Sequence, residues 1–164
     1  MNPITIRAHF LYPPSSTFAD DPEGWWSWPG NDFNAEGRQQ QFMTALRGME
    51  ERLDARLRMD GTSVWTKDHV RAVAAELATD KPAGLLLVVF YNRSITTADE
   101  LIAEAEKAGV PVVLYIGLGV CHGQGPHFSR YRRRGVHFIM SLDNFAAIEN
   151  GLRLIAEGKP LGPP

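Results

Sequence analysis

Gly84-Leu85-Leu86-Leu87-Val88-Val89-Phe90-Tyr91 runs for eight residues without a charge and without any apolar-polar alternation. A strand with one wetted face alternates, so a run like this one predicts a central parallel strand covered on both faces. Covering both faces requires helices on either side of the sheet, so the flanking sequence should read as strands and helices in turn. Downstream, Pro111-Val112-Val113-Leu114-Tyr115-Ile116-Gly117 is a second apolar run of the same kind, and Val136 to Met140 reads as a further strand. Upstream, Ile4-Thr5-Ile6-Arg7-Ala8-His9-Phe10-Leu11 is rich in apolar and β-branched residues and stops at Tyr12-Pro13-Pro14, which cannot continue inside a sheet.

Between these strands lie helical patterns. Phe42, Leu46, Met49 and Leu53 recur at spacings of four, three and four, predicting one amphipathic helix over residues 35–56. A weaker strand is expected over residues 57–64, with Gly61 inside it. Thr66 is placed to cap the next helix, whose apolar stripe is Val70, Val73, Ala74 and Leu77, and Lys81-Pro82 ends it. Thr97-Ala98-Asp99-Glu100 has the capping-box pattern of a helix running through Lys107 to a stop at Gly109. Phe145, Ile148, Leu152 and Ile155 mark a last helix that stops at Gly158 and Pro160.

Five strands alternating with helices, joined by right-handed crossovers, predict an α/β domain spanning residues 1–164. Its fold class is a flavodoxin-like, doubly wound five-stranded parallel sheet of order 2-1-3-4-5. The strand order reverses between the first and third strands, and ligands of such sheets bind outside the carboxyl ends of the strands at that point. The loops meeting there are residues 13–34, which hold Trp25, Trp26 and Trp28, and Asn92-Arg93-Ser94-Ile95-Thr96. The glycine-rich segment beginning at Gly117 and containing Cys121 and His122 is the next loop along.

Length and composition narrow the classes. A chain of 164 residues with 44% hydrophobic and 22% charged residues suits one globular domain, and a net charge of -2 gives no general reason to bind nucleic acid. The longest apolar run is too short to cross a bilayer, and no secretory signal pattern opens the chain, so no membrane partner and a cytoplasmic location are expected. The single cysteine excludes an internal disulfide and a multi-cysteine zinc site.

Tyr12, Tyr91, Asn92, Arg93 and Ser94 bring aromatic surface, amide and hydroxyl groups and one positive charge to the crevice, which suits a sugar or polyol held by directed hydrogen bonds. Trp25 and Trp26 suit stacking on a ligand, docking of a neighbouring subunit or stapling of their own loop. Cys121 beside His122 raises a second reading, a small hydrolase or transferase. Catalytic pairs, however, meet in space from separated positions, and no third orienting residue is evident. His122, His127 and His137 match no metal-ligand spacing, so no metal set is expected. Arg130, Arg132, Arg133 and Arg134 read as a solvated charge run. The first strand is not followed by a glycine-bearing phosphate loop or a GxGxxG element, and Tyr91-Asn92 stands where a response regulator carries its phosphorylated aspartate, so no nucleotide or flavin cofactor is expected.

Three segments also carry a likeness: Asp32-Phe33-Asn34-Ala35-Glu36-Gly37-Arg38, the strand from Gly84 to Asn92, and Gly135-Val136-His137-Phe138-Ile139-Met140-Ser141-Leu142-Asp143-Asn144-Phe145. Together they resemble the N-terminal α/β domain of L-fucose isomerase-like and L-arabinose isomerase-like proteins. The resemblance implies a domain that helps wall a sugar site, often across a subunit boundary, while the metal and proton-transfer carboxylates belong to later domains. It therefore implies carbohydrate binding or assembly, self-association or a partner domain, and no turnover by this chain alone.

Overall fold

The computed structural model describes residues 3–19, 33–117 and 125–163. Five parallel strands form one sheet: β1 (Ile4–Leu11), β2 (Ala55–Met59), β3 (Gly84–Val89), β4 (Val112–Gly117) and β5 (Val136–Ser141), in the order β2-β1-β3-β4-β5. This is the flavodoxin-like arrangement that the apolar runs predict. β3 is buried at every position because it pairs with β1 on one side and β4 on the other while helices cover both faces.

The helices are α1 (Ser16–Ala19), α2 (Ala35–Arg47), α3 (Glu50–Leu53), α4 (Lys67–Asp80), α5 (Ile95–Ala108) and α6 (Phe145–Ala156). Strand alternation divides the core in two. Ile6, Ala8, Phe10, Leu86 and Val88 face Phe42 and Leu46 of α2, Leu53 of α3, and Ile148, Leu152 and Ile155 of α6. Leu11, Leu85, Leu87 and Val89 face Val70, Val73 and Leu77 of α4 and Leu101, Ile102 and Ala105 of α5.

β3 ends at Val89, two residues short of the apolar run read from the sequence, and three further boundaries differ, each for a local reason. The single helix expected over residues 35–56 is broken. α2 ends at Gly48, whose N–H bonds back to Thr44 O at 3.2 Å while the next N–H, of Met49, bonds to Leu46 O at 2.9 Å, and α3 ends at Asp54 in the left-handed region at φ 48°. Leu53 is buried in the same core as Phe42 and Leu46, so the apolar spacing that suggested continuity survives the break. The second strand therefore begins at Ala55, two residues earlier than expected, and ends at Met59. Beyond it the chain turns, and the buried Val64 returns to β1 through one bond from its N–H to the carbonyl of Phe10 at 2.8 Å, so its apolar character reflects packing outside the strand. Finally, α5 begins at Ile95, directly after a 3₁₀ turn over Asn92–Ser94, so Thr97 lies inside the helix instead of capping it.

Other expected signals act as the sequence suggests. The Thr66 hydroxyl accepts from His69 N at 3.2 Å and Gly109 ends α5 at φ 71°; Asn144, which the sequence reading did not single out, caps α6 by accepting from Ala147 N at 3.0 Å. No helix among the described residues is long and apolar enough to cross a membrane.

Candidate functional site

β1 and β3 lie side by side with their carboxyl ends together, and the residues that follow each strand meet at the reversal of strand order. After β1 come Tyr12, Pro13, Pro14 and Ser15. After β3 come Phe90, Tyr91 and the turn Asn92–Ser94.

Tyr12 is almost fully buried. Its hydroxyl donates to Oε1 of the equally buried Gln39 at 2.5 Å, and Gln39 Nε2 donates to the carbonyls of Asp60 and Gly61 at 3.3 and 3.2 Å. Gln39 thus joins the end of β1 to the turn after β2. Burial pushes the Tyr12 hydroxyl up to about 12, with the charge of Glu36 adding to the effect and the Ser63 hydroxyl opposing it, so the group is a neutral donor at ordinary pH. Tyr91 is buried as well, in the core cluster that also holds the aromatic layer of Phe10, Phe42, Phe90 and Tyr115.

Ser15 and Glu36 close the mouth of the long connection. The Ser15 hydroxyl accepts from Ala35 N at 2.8 Å and donates to Glu36 Oε2, while Ser15 N donates to Glu36 Oε1 at 2.8 Å. Asn34 caps α2 by accepting from Gly37 N at 2.8 Å. The Ser15 bonds tie the chain after β1 to Ala35 and Glu36 at the first turn of α2, where a carboxylate also suits the helix dipole. Burial disfavours the Glu36 charge, but the two bonds from Ser15, together with one from its own backbone N–H, hold the carboxyl below its ordinary value.

On the neighbouring strand the Tyr115 hydroxyl donates to Ser141 O at 2.8 Å and accepts from Asp143 N at 2.9 Å, which fixes the turn between β5 and α6. That turn presents Asp143 to Arg38 of α2. The guanidinium pairs with the carboxylate and lies 4.9 Å above the Phe42 ring, making a charged roof over the aromatic layer.

Asn92 differs from these satisfied groups. Its Oδ1 is buried and accepts no hydrogen bond among the described residues. Ser94 is buried beside it and its N–H bonds to Tyr91 O at 3.0 Å, whereas Arg93 is exposed. The structure therefore gathers Tyr12, Tyr91, Asn92 and Ser94 at the strand ends, but places Tyr12 and Tyr91 in the core instead of on an open surface.

Trp25, Trp26, Trp28, Cys121 and His122 lie outside the described residues. Of the arginine run, Arg130 makes a bidentate pair with Asp99 on α5 and Arg133 pairs with Glu106 at 2.9 Å, so half of the run braces α5. Arg38 and Asp143 fall inside segments that carry the likeness, but no spacing pairs them, and Gln39 belongs to no motif. Gln39 alone leaves a trace, as a polar residue three positions before Phe42 and seven before Leu46, on the apolar stripe of its helix. Comparison with known proteins found no matching family model, no matching curated protein and no matching solved structure.

Proposed function

We propose that this chain is a binding domain for a small hydroxyl-rich molecule, a sugar or polyol, seated in the crevice after β1 and β3, and that it does not turn the ligand over alone. The observation that carries the reading is Asn92 Oδ1, a buried acceptor without a donor among the described residues, at the position where sheets of this order take their ligands. Leaving such an acceptor unsatisfied costs roughly 1–3 kcal/mol, and a ligand hydroxyl is a suitable donor. The satisfied pairs Tyr12–Gln39 and Ser15–Glu36 hold the walls in place, which limits the ordering cost of binding. The likeness to sugar-isomerase N-terminal domains points to the same ligand class, with the chemistry residing on other domains.

Calorimetric titration with a panel of aldoses, ketoses and alditols tests the reading. At least one is expected to bind saturably, and Asn92→Ala is expected to weaken it about tenfold or more, the equivalent of about 1.4 kcal/mol. Because the substitution removes an unsatisfied acceptor, the free protein should be no less stable. Silence across the panel, or Asn92→Ala that loses stability while keeping affinity, would overturn the proposal.

A further inference from the structure

On the α4 side of the sheet, β1 carries two residues that its apolar neighbours do not explain. Arg7 and His9 project to the same face by strand alternation, and His9 is 3% exposed. Its Nε2 is buried with no hydrogen-bond partner among the described residues. Asp60, the first residue after β2, and Glu76, on α4, close around the ring. One ring nitrogen of His9 and one carboxylate oxygen from each acid lie within 4.8 Å of one another.

We propose that His9, Asp60 and Glu76 bind one divalent first-row transition metal ion of the zinc type, with its remaining coordination positions open to water. The site lies between the β2 edge and α4 and is separate from the crevice at the ends of β1 and β3.

The local charges favour a cation. The two acids carry two negative charges, and Arg7 compensates them incompletely. Its short contact is to Asp80 at 2.8 Å, whereas Glu76 and Asp60 lie 3.3 and 3.8 Å away. Glu76 Oε2 is buried and makes no hydrogen bond among the described residues, even to the guanidinium beside it. The geometry needs only a small closure. Tetrahedral ligands bonded at about 2.1 Å stand about 3.4 Å apart. The Asp60 and Glu76 side chains are 53% and 40% exposed and free to swing inward by that difference, while His9 is held by packing. One imidazole with two carboxylates suits zinc and its first-row neighbours over magnesium and calcium, which take oxygen ligands.

The test uses the full chain, stripped with a chelator and titrated with zinc and, separately, with cobalt. One zinc per chain, a zinc-induced rise in melting temperature and a cobalt absorption spectrum with a nitrogen ligand are expected. Asp60→Asn and Glu76→Gln should each weaken zinc binding by about a hundredfold or more, beyond the tenfold to hundredfold typical of outer-shell changes. Both acids are partly exposed, so the variants should fold. The zinc-induced shift is measured within each variant, so loss of the Arg7 ion pair cancels. The other histidines and Cys121 can pick up zinc adventitiously. Binding that persists unchanged in both variants therefore overturns the proposal, as does the absence of saturable zinc binding in the parent chain.

Discussion

Gly84 opens the most apolar strand in the chain, and its small size has a tertiary cause. A Cβ built there would lie 2.4 Å from Ile155 Cδ1 and 2.8 Å from its Cγ2, so α6 rests directly on the backbone of β3. Ile155 is itself buried and has little room to withdraw. Gly84→Ala should therefore destabilise the fold by about 1–3 kcal/mol, the range for overpacking a close-packed core. Urea denaturation gives the measurement. The double substitution Gly84→Ala, Ile155→Ala should be less destabilised than the sum of the two single changes, because the second opens the space that the first requires. Additive costs would show that the two residues do not meet. Gly151 plays the same part further along α6, where a Cβ would approach His137 Cδ2 to 2.7 Å.

At the scale of elements, helix starts separate local chemistry from context. Thr66 and Thr97 both precede apolar stripes, yet only Thr66 caps, accepting from the N–H three residues on. Thr97 lies in the first turn of α5, whose start is set by the 3₁₀ turn over Asn92–Ser94, where Ile95 N bonds back to Asn92 O. Thr66→Ala should accordingly cost about 1 kcal/mol, while Thr97→Ala should change stability by less than about 0.5 kcal/mol because alanine suits a helix interior. Comparing the midpoints of chemical denaturation for the two variants decides the point. Equal losses would mean that Thr97 caps after all.

For the whole molecule, the buried histidine sets a pH dependence. The folded-state pKa of His9 lies at about 4 against an ordinary value of 6.5, chiefly because burial disfavours the charged ring. Between those values the unfolded chain binds more protons than the folded one. Stability is therefore full above pH 6.5, falls as pH drops through the window and gains no further loss from His9 below it. The shift corresponds to a contribution of about 3 kcal/mol. His137, also lowered by burial, acts in the same direction. The lowered carboxyls of Glu36 and Glu149 act only below about their ordinary 4.5, so pH 4.5–6.5 isolates the histidines. Denaturation measured in chelator across that window should show a positive slope that His9→Gln largely removes. A slope unchanged by His9→Gln would place the effect elsewhere.

The sheet and most of its helices were legible in the sequence because burial on two faces writes itself directly into composition. A central parallel strand such as Gly84–Val89 must be apolar throughout, and a covered helix such as α6 must repeat its apolar residues every three or four positions. Such signals are local, and so is the cap at Thr66. The strand order followed from the same run of elements through the general handedness of crossovers. The site was legible only in outline. The crossing point, and with it Asn92, came from topology, but the roles of Gln39, Arg38 and Asp143 depend on partners 21 or more residues away in the chain, and no spacing encodes them. The helix break before β2 was hidden for a related reason, since Leu53 continues the apolar spacing although Asp54 reverses the backbone. His9 illustrates the division most sharply. Its sequence position gives a polar residue in a strand, whereas its burial, its unpartnered nitrogen and the two acids beside it arise only when β1, the turn after β2 and α4 are brought together by the packing of the core.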